Sequence, residues 1–310
     1  MPAAERYTER VALLVRVLPL LADEHDLALK GGTAINLFHR PMPRLSVDLD
    51  LTFLPATDRE ASLEAIDLSL TRIATAIGRT IPGSHARAVP DLRTQTVTKL
   101  IVQRGRAQVK LEVTPVLRGC VYGPEVRDVH PVVEQRFGYA RVRLVSFPDL
   151  YAGKLVAALD RQHPRDLFDV RELLAHEGID DRTRRSFLAY LISHDRPIAE
   201  VLEARPKDLR ATFRSEFDGM TSDAAASTVE DLIATRTELV RTLVDSMPVA
   251  HRSFLVGFKR GEPDWGLTGI PQIQDLPAIR WKQANLDRMT PTRRARAVER
   301  LEAVLGPPPR

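Results

Sequence analysis

One cysteine, Cys120, stands in 310 residues. That scarcity excludes an internal disulfide framework and a Cys-rich zinc site, agrees with a reducing compartment, and leads us to expect no disulfide-linked partner. Histidine shows no metal-ligand spacing, so any metal must be held by oxygen. No apolar run approaches the roughly 20 residues that span a bilayer, and the opening "MPAAERYTER" is charged rather than signal-like, so the expected address is cytoplasmic, with no membrane partner. Aromatic residues make up only 5% of the chain. No aromatic platform adjoins a basic cluster, so base-specific readout is not indicated, and Trp265 and Trp281 are expected in the core or at a domain interface. Lysine is also scarce, at seven of 45 basic residues, which makes arginine the default cation. Three of the four lysines in the first half, from the set Lys30, Lys99, Lys110 and Lys154, lie beside the motifs described below. The balance of 45 basic against 41 acidic residues gives a net charge of +4 and a pI near 9.4. It permits a polyanionic partner without demanding one.

The apolar pattern predicts a helix over residues 7–29, with Thr8 as a possible cap, and a short helical stretch over 34–39 after "GGT". The Pro-rich "RPMPR" ends that stretch. Period-2 alternation predicts a strand over 45–53, a helix follows over 58–79, and strands over 94–104 and 107–117 read as a hairpin. A further strand is expected over 141–145. Ser146 then reads as the cap of a helix with Pro148 in its first turn, and "HPRDLFDVRELLAHEG" as a second, opening near Pro164 and stopped by Gly178. Beyond residue 180 the chain reads as helical, with breaks at proline-containing loops.

Within the strand at 45–53, Ser46, Asp48, Asp50 and Thr52 share one face. Two carboxylates side by side repel each other, and a divalent cation between them removes that penalty; hard oxygen ligands suit Mg²⁺. A bare D-x-D is also what a strand with one wet polar face shows, so the surroundings matter. "QVKLEVTP" supplies a second alternating strand whose polar face carries Lys110, Glu112 and Thr114. With Glu112 as third carboxylate, the set matches a two-metal arrangement for phosphoryl or nucleotidyl transfer. Upstream, Gly31-Gly32-Thr33 lets the backbone approach a phosphate, and Thr33 adds a hydroxyl. No Gly-Lys-Ser/Thr follows, so this is not a P-loop.

The ordered set "KGGTAINL", "PRLSVDLDL", "KLEVTP", "GKLVAALDRQHPRDLFDV" and "FLVGFKRGEPDW…LPAIRWKQANL", from about Leu29 to Leu286, resembles the AbiEii/AbiGii-type nucleotidyltransferases. These are toxins of bacterial toxin–antitoxin and phage abortive-infection systems. The resemblance implies an α+β, DNA polymerase β-like nucleotidyltransferase core with a mixed sheet and flanking helices, followed by an all-helical C-terminal region. We place these at residues 1–180 and 181–310. It implies metal binding by Asp48 and Asp50 and nucleotide binding by Gly31 and Gly32; beside these, Thr33 offers a hydroxyl, and Ser46, two before Asp48 on the same face, is expected next to the metals and triphosphate. Lys154 matches the lysine of the family's "GKLxA" helix, contacting triphosphate, and Asp166 and Asp169 match its acidic positions, so Asp48, Asp50, Lys154 and Asp166 are the expected catalytic residues and Asp169 joins the nucleotide-binding set. For Asp166 two readings stand open: activation of the incoming hydroxyl or base contact, and stabilisation of a helix N-terminus. The segment around Arg161, Arg165 and Asp169 is equally compatible with a salt-bridged helix.

The expected function is a toxin that uses Mg²⁺ (or Mn²⁺) to transfer an NMP from an NTP to RNA, with the tRNA 3′ end as acceptor, blocking translation. A cognate antitoxin is the expected partner. The alternatives are nucleotidylation of a protein hydroxyl and a non-catalytic nucleotide- or RNA-binding protein on the same fold. Arginine clusters at Arg182, Arg184 and Arg185, at Arg293, Arg294, Arg296 and Arg300, and the Lys259-Arg260 pair are candidate phosphate contacts for the RNA.

Overall fold

The alternation at residues 48–53 does produce a strand: Leu49, Leu51 and Phe53 are buried while Asp48 and Asp50 keep partial exposure. The computed structural model that shows this describes residues 3–92 and 94–306. Two compact units emerge. The first runs to Ser146 and takes back residues 219–226; the second holds Phe147–Asp218 and the chain from Ser227 onward. They divide earlier in the chain than the boundary expected at residue 180.

The first unit comprises helix α1 (Ala3–Val17), a 3-10 turn (Leu18–Leu21), strand β1 (Leu27–Lys30), and helix α2 (Gly31–Ala34), which runs into a π-helical turn (Ile35–His39). Strand β2 (Asp48–Phe53), helix α3 (Arg59–Thr80), and strands β3 (Ser84–Pro90), β4 (Val97–Arg104), β5 (Ala107–Thr114) and β6 (Glu125–Asp128) follow. Helix α4 (Pro131–Phe137) and strand β7 (Arg141–Leu144) complete it. The helix expected over 7–29 therefore ends early. Pro19 sits in the 3-10 turn, and Leu27–Lys30, too short to show a period, becomes a strand because β2 and β7 flank it.

The seven strands form one sheet in the order β3-β4-β5-β2-β1-β7-β6. It is mixed, as expected: β2 runs antiparallel to β1 and parallel to β5, and β1 runs parallel to β7. The β4–β5 hairpin closes between Arg104 and Ala107. In its turn Gly105 takes a positive φ of 55°. Val109, Leu111 and Val113 of β5 are fully buried beside the apolar side of β2, each such side chain contributing about 1.5–3 kcal/mol. Helix α1 packs on β5, and α3 on β3 and β4. Asp58 caps α3 by accepting a hydrogen bond from the Ala61 N–H.

The entry to β2 is braced from far along the chain. Leu45 N donates to the Met220 carbonyl and Ser222 N to that of Pro43, each at 2.9 Å. This bracing places 219–226 with the first unit.

The second unit is built from helices α5 (Phe147–Asp160), α6 (Pro164–His176), α7 (Asp181–Ser193), α8 (Ile198–Glu203), α9 (Arg210–Glu216), α10 (Val229–Val240), α11 (Val249–Arg260), α12 (Pro277–Asp287) and α13 (Pro291–Leu305). Helix α5 begins directly after Ser146 with Pro148 in its first turn, and α6 carries Pro164 at its start, as the local signals require. The His163 ring Nδ1 accepts from Arg165 N and caps α6. Trp265 packs against Phe254 and Phe258 at ring-centroid distances of 5.6 and 5.9 Å. Trp281, expected in a core or an interface, is instead 54% exposed, because α12 turns that position outward.

Helix α2 is tied to β2 through buried Thr33, whose hydroxyl donates to the Asp48 carbonyl at 2.5 Å and lies 3.0 Å from Ser46 Oγ. Since the Thr33 proton goes to a carbonyl, Ser46 is the donor of the second bond. Thr33→Val keeps the shape and strands both partners, so it should cost about 1–3 kcal/mol in chemical denaturation. An unchanged denaturation midpoint would show that the tie contributes nothing.

Candidate active site

Gly31 follows Lys30 at the end of β1 and adopts φ of 74°, the left-handed region that favours glycine. A Cβ there would lie 2.8 Å from Asp50 Oδ2. At Gly32 a Cβ would meet Arg44 Nη2 at 2.6 Å and Ser46 Oγ at 3.1 Å. Gly31 is thus required by its backbone conformation and by the Asp50 carboxylate beside it, while the Arg44 guanidinium and the Ser46 hydroxyl pack against Gly32. With α2 only four residues long before the π turn, helix-dipole arguments weigh less than this packing. Arg44, unmarked by any local sequence signal, is buried and donates to the Leu45 carbonyl at 3.0 Å. It stands two residues before Ser46, in a stretch that reads only as a proline-rich connection.

Strand register assembles the charges. Lys30 of β1 pairs with Asp50 of β2, Asp50 with Glu112 of β5, and Glu112 with Lys99 of β4. One row across four strands therefore reads cation, carboxylate, carboxylate, cation. Asp48 is registered with Lys110 in the neighbouring row. Glu112 lies 3.0 Å from Lys110 Nζ and 3.4 Å from Lys99 Nζ. Partial burial works against its ionised form, yet the hydrogen bond and charge of Lys110, followed by those of Lys99, hold its carboxyl below the ordinary range. Lys110 is shifted upward: desolvation opposes its charge, and Glu112, Asp48 and Asp50 more than compensate. Desolvation pushes Lys30 downward against the pull of Asp50 and Glu112.

As a seat for a divalent ion, Asp48 and Asp50 fit: two hard oxygen donors share one face of a central strand, with Asp50 aimed beside the glycine turn. Glu112, the expected third partner, stands in register with Asp50 on the neighbouring strand, and its carboxylate pairs with Lys110 and Lys99. The Thr33 hydroxyl, expected beside a phosphate, ties the Asp48 carbonyl to Ser46.

In the second unit, Lys154 of α5 bridges Asp166 and Asp169 of α6 at 2.8 and 2.9 Å, and all three side chains are at most 7% exposed. The spacing of Asp166 and Asp169 puts both carboxylates over one ammonium. Arg161 also donates to Asp166. Burial alone would raise the Asp166 carboxyl, but the charge of Lys154 and the hydrogen bonds and charge of Arg161 hold it well below the usual carboxylate range. Several arginines expected to face RNA are occupied within this unit. Arg185 pairs with Asp181, Arg260 with Glu302, and Arg300 with Glu200 and Glu203. Arg184 and Arg294 donate to backbone carbonyls.

The family model described as "Nucleotidyl transferase AbiEii toxin, Type IV TA system" matches residues 12–284. Among solved structures, the fold is similar to that of MenT4, a nucleotidyltransferase toxin from Mycobacterium tuberculosis H37Rv, with a TM-score of 0.58 and 17% sequence identity over 99% of this chain and 96% of that one. No curated protein matches the chain.

Two outcomes follow from this geometry. Lys154→Met leaves two buried carboxylates facing each other and should cost about 3–5 kcal/mol in chemical denaturation. Because the Asp166 carboxyl is depressed in the folded state, the stability it contributes is complete above the unfolded value of 3.8 and is lost as acid protonates it. From about pH 5 downward the wild type should therefore lose stability more steeply than Asp166→Asn; equal slopes would contradict the assignment.

Proposed function

The chain belongs to the AbiEii family of nucleotidyl transferase toxins from type IV toxin–antitoxin systems, and from that premise we propose that it transfers an NMP from an NTP to the 3′ end of tRNA in a Mg²⁺-dependent reaction. Membership brings an NTP substrate and a cognate antitoxin with it. The observation that carries the proposal is the pair Asp48 and Asp50 on one face of β2, with the Gly31 backbone pressed against the Asp50 carboxylate. Acceptor and metal identity are the steps beyond membership.

Asp48 and Asp50 would hold the ion, Mg²⁺ or Mn²⁺. Bound there, it supplies Lewis acidity at the phosphates and offsets the charge of the leaving pyrophosphate. Gly31 and Gly32 keep the backbone free of side chains where phosphate approaches. Ser46, held by Thr33, lies next to Gly32 and so faces the same turn. Lys154 of the second unit we assign to phosphate contact on its place in the GKLVA motif. Its compact ammonium suits phosphate oxygens, and Asp166 and Asp169 act as positioning residues that fix it. An acceptor hydroxyl then displaces pyrophosphate from the α-phosphorus, and a modified 3′ end no longer serves translation. A pI near 9.4 suits a polyanionic acceptor.

Purified protein incubated with Mg²⁺, each α-labelled NTP in turn and total tRNA should label tRNA with a preferred nucleotide. EDTA should abolish the label, and Asp48→Asn or Asp50→Asn should lower it by at least about 10²-fold, the scale on which an electrostatic site loses rate. Label entering protein bands instead would make a protein hydroxyl the acceptor, and no label in any arm would refute the transfer reaction.

A further inference from the structure

Trp281 was expected in a core or an interface, and helix α12 carries it into solvent at 54% exposure. Among the described residues it is the one exposed aromatic side chain of the second unit. A single exposed apolar residue is ordinary, so its company decides what it does. Helix α12 buries Ala278, Ile279 and Leu286, and at about 100° per residue Trp281, Ala284 and Arg288 fall on the opposite face, where all three are exposed. The indole is held in place. Lys282 Nζ lies 5.5 Å from its ring centroid and donates to the Asp195 carbonyl at 3.1 Å, which pins ring and ammonium to the chain just beyond α7. Arg280, beside Trp281 in sequence, pairs with Asp275 at 2.7 Å, and Asp287 accepts from Gln283 at 3.2 Å. Arg288, two turns beyond the indole, has no carboxylate partner among the described residues. Ala284 stands between them with nothing beyond its Cβ, so the helix itself leaves the space from indole to guanidinium unfilled.

We propose that Trp281 is a stacking platform for an unpaired base of single-stranded RNA, with Lys282 and Arg288 taking the neighbouring phosphates. The proposal rests on the reading that the acceptor is RNA, and adds where such a strand is held. Every base has a π face, so the contact is sequence-tolerant, and the flanking cations supply the salt-sensitive part of the affinity. A tryptophan hot spot for a protein partner is ringed by neighbours that exclude water, whereas the cations Arg280, Lys282 and Arg288 accompany this indole on α12. A free nucleotide calls for a cleft. An outward helix face offers one side only, which suits a base also tethered through its strand. Fixed beforehand by Lys282, the ring loses little freedom when a base stacks on it.

Trp265→Phe leaves Trp281 as the only tryptophan. In that full-length chain its emission is titrated with single-stranded oligoadenylate about eight nucleotides long, and with an abasic oligomer of equal length and charge. Oligoadenylate should quench the emission and bind about tenfold more tightly than the abasic oligomer, the scale of one stacked base. End-labelled oligomers followed by anisotropy extend the comparison to wild type and to Trp281→Ala, where the difference should vanish, and Trp281→Phe should recover part of it. Arg288→Met should weaken both oligomers alike and lower the salt slope by about 1. Circular dichroism of each variant excludes misfolding as the cause. Equal affinity of wild type for the two oligomers, a comparison that needs no variant, would overturn the proposal and leave the ring to a protein partner; so would wild-type oligoadenylate affinity in Trp281→Ala. If tRNA labelling fails while oligoadenylate still quenches Trp281, the platform stands and the transfer reading falls; if tRNA is labelled while the two oligomers bind alike, the platform alone falls.

Discussion

Two carboxylates two residues apart on a strand repel each other, and the sheet of the first unit is arranged around that repulsion. Strand β2 lies between an antiparallel neighbour and a parallel one, and their registers set Lys30 on one side of Asp50 and Glu112 on the other, with Lys110 opposite Asp48. Glu112 would add to the repulsion were it not engaged by two ammonium groups of its own. The apolar side of the same strands, including Leu49, Leu51 and Leu111, is buried, so a register slip of one residue would turn the charges into the core. Hydrophobic burial on one side therefore enforces charge placement on the other.

The second unit answers a similar problem in drier surroundings. Lys154, Asp166 and Asp169 are almost wholly removed from water, where an unpaired charge is costly and a paired one is held firmly. Lys99 and Lys110 keep about a third of their surface, whereas Lys154 is fixed by two carboxylates. Partial exposure and burial thus make two kinds of cation from one residue type.

Much of the first unit was legible in the sequence. Alternation over 45–53 and 107–117 located two neighbouring strands and their polar faces, observed at 48–53 and 107–114, and proline and serine signals located the starts of α5 and α6. Leu27–Lys30 was hidden, since four residues show no period and the apolar pattern before them is helical. Residues 219–226 were invisible as part of the first unit because their role is a pair of backbone hydrogen bonds to a segment far away in sequence. Arg44 looked like part of a proline-rich connection, and only its packing against Gly32 shows otherwise. Trp281 carried no mark of being outward, because which face of a helix is buried depends on its neighbours.

By itself, then, the sequence determined the chemistry available: two aspartates on one face, a glycine turn upstream, scarce lysines near the motifs, and the family to which the chain belongs. Those features are local, set by side-chain alternation and by residue types at short spacing. Tertiary structure alone decided who meets whom. That Glu112 faces Lys99 and Lys110, that Asp50 lies against Gly31, and that Lys154 holds two aspartates at once follow from strand register and helix packing. Both depend on contacts between residues distant in the chain, which no local pattern encodes.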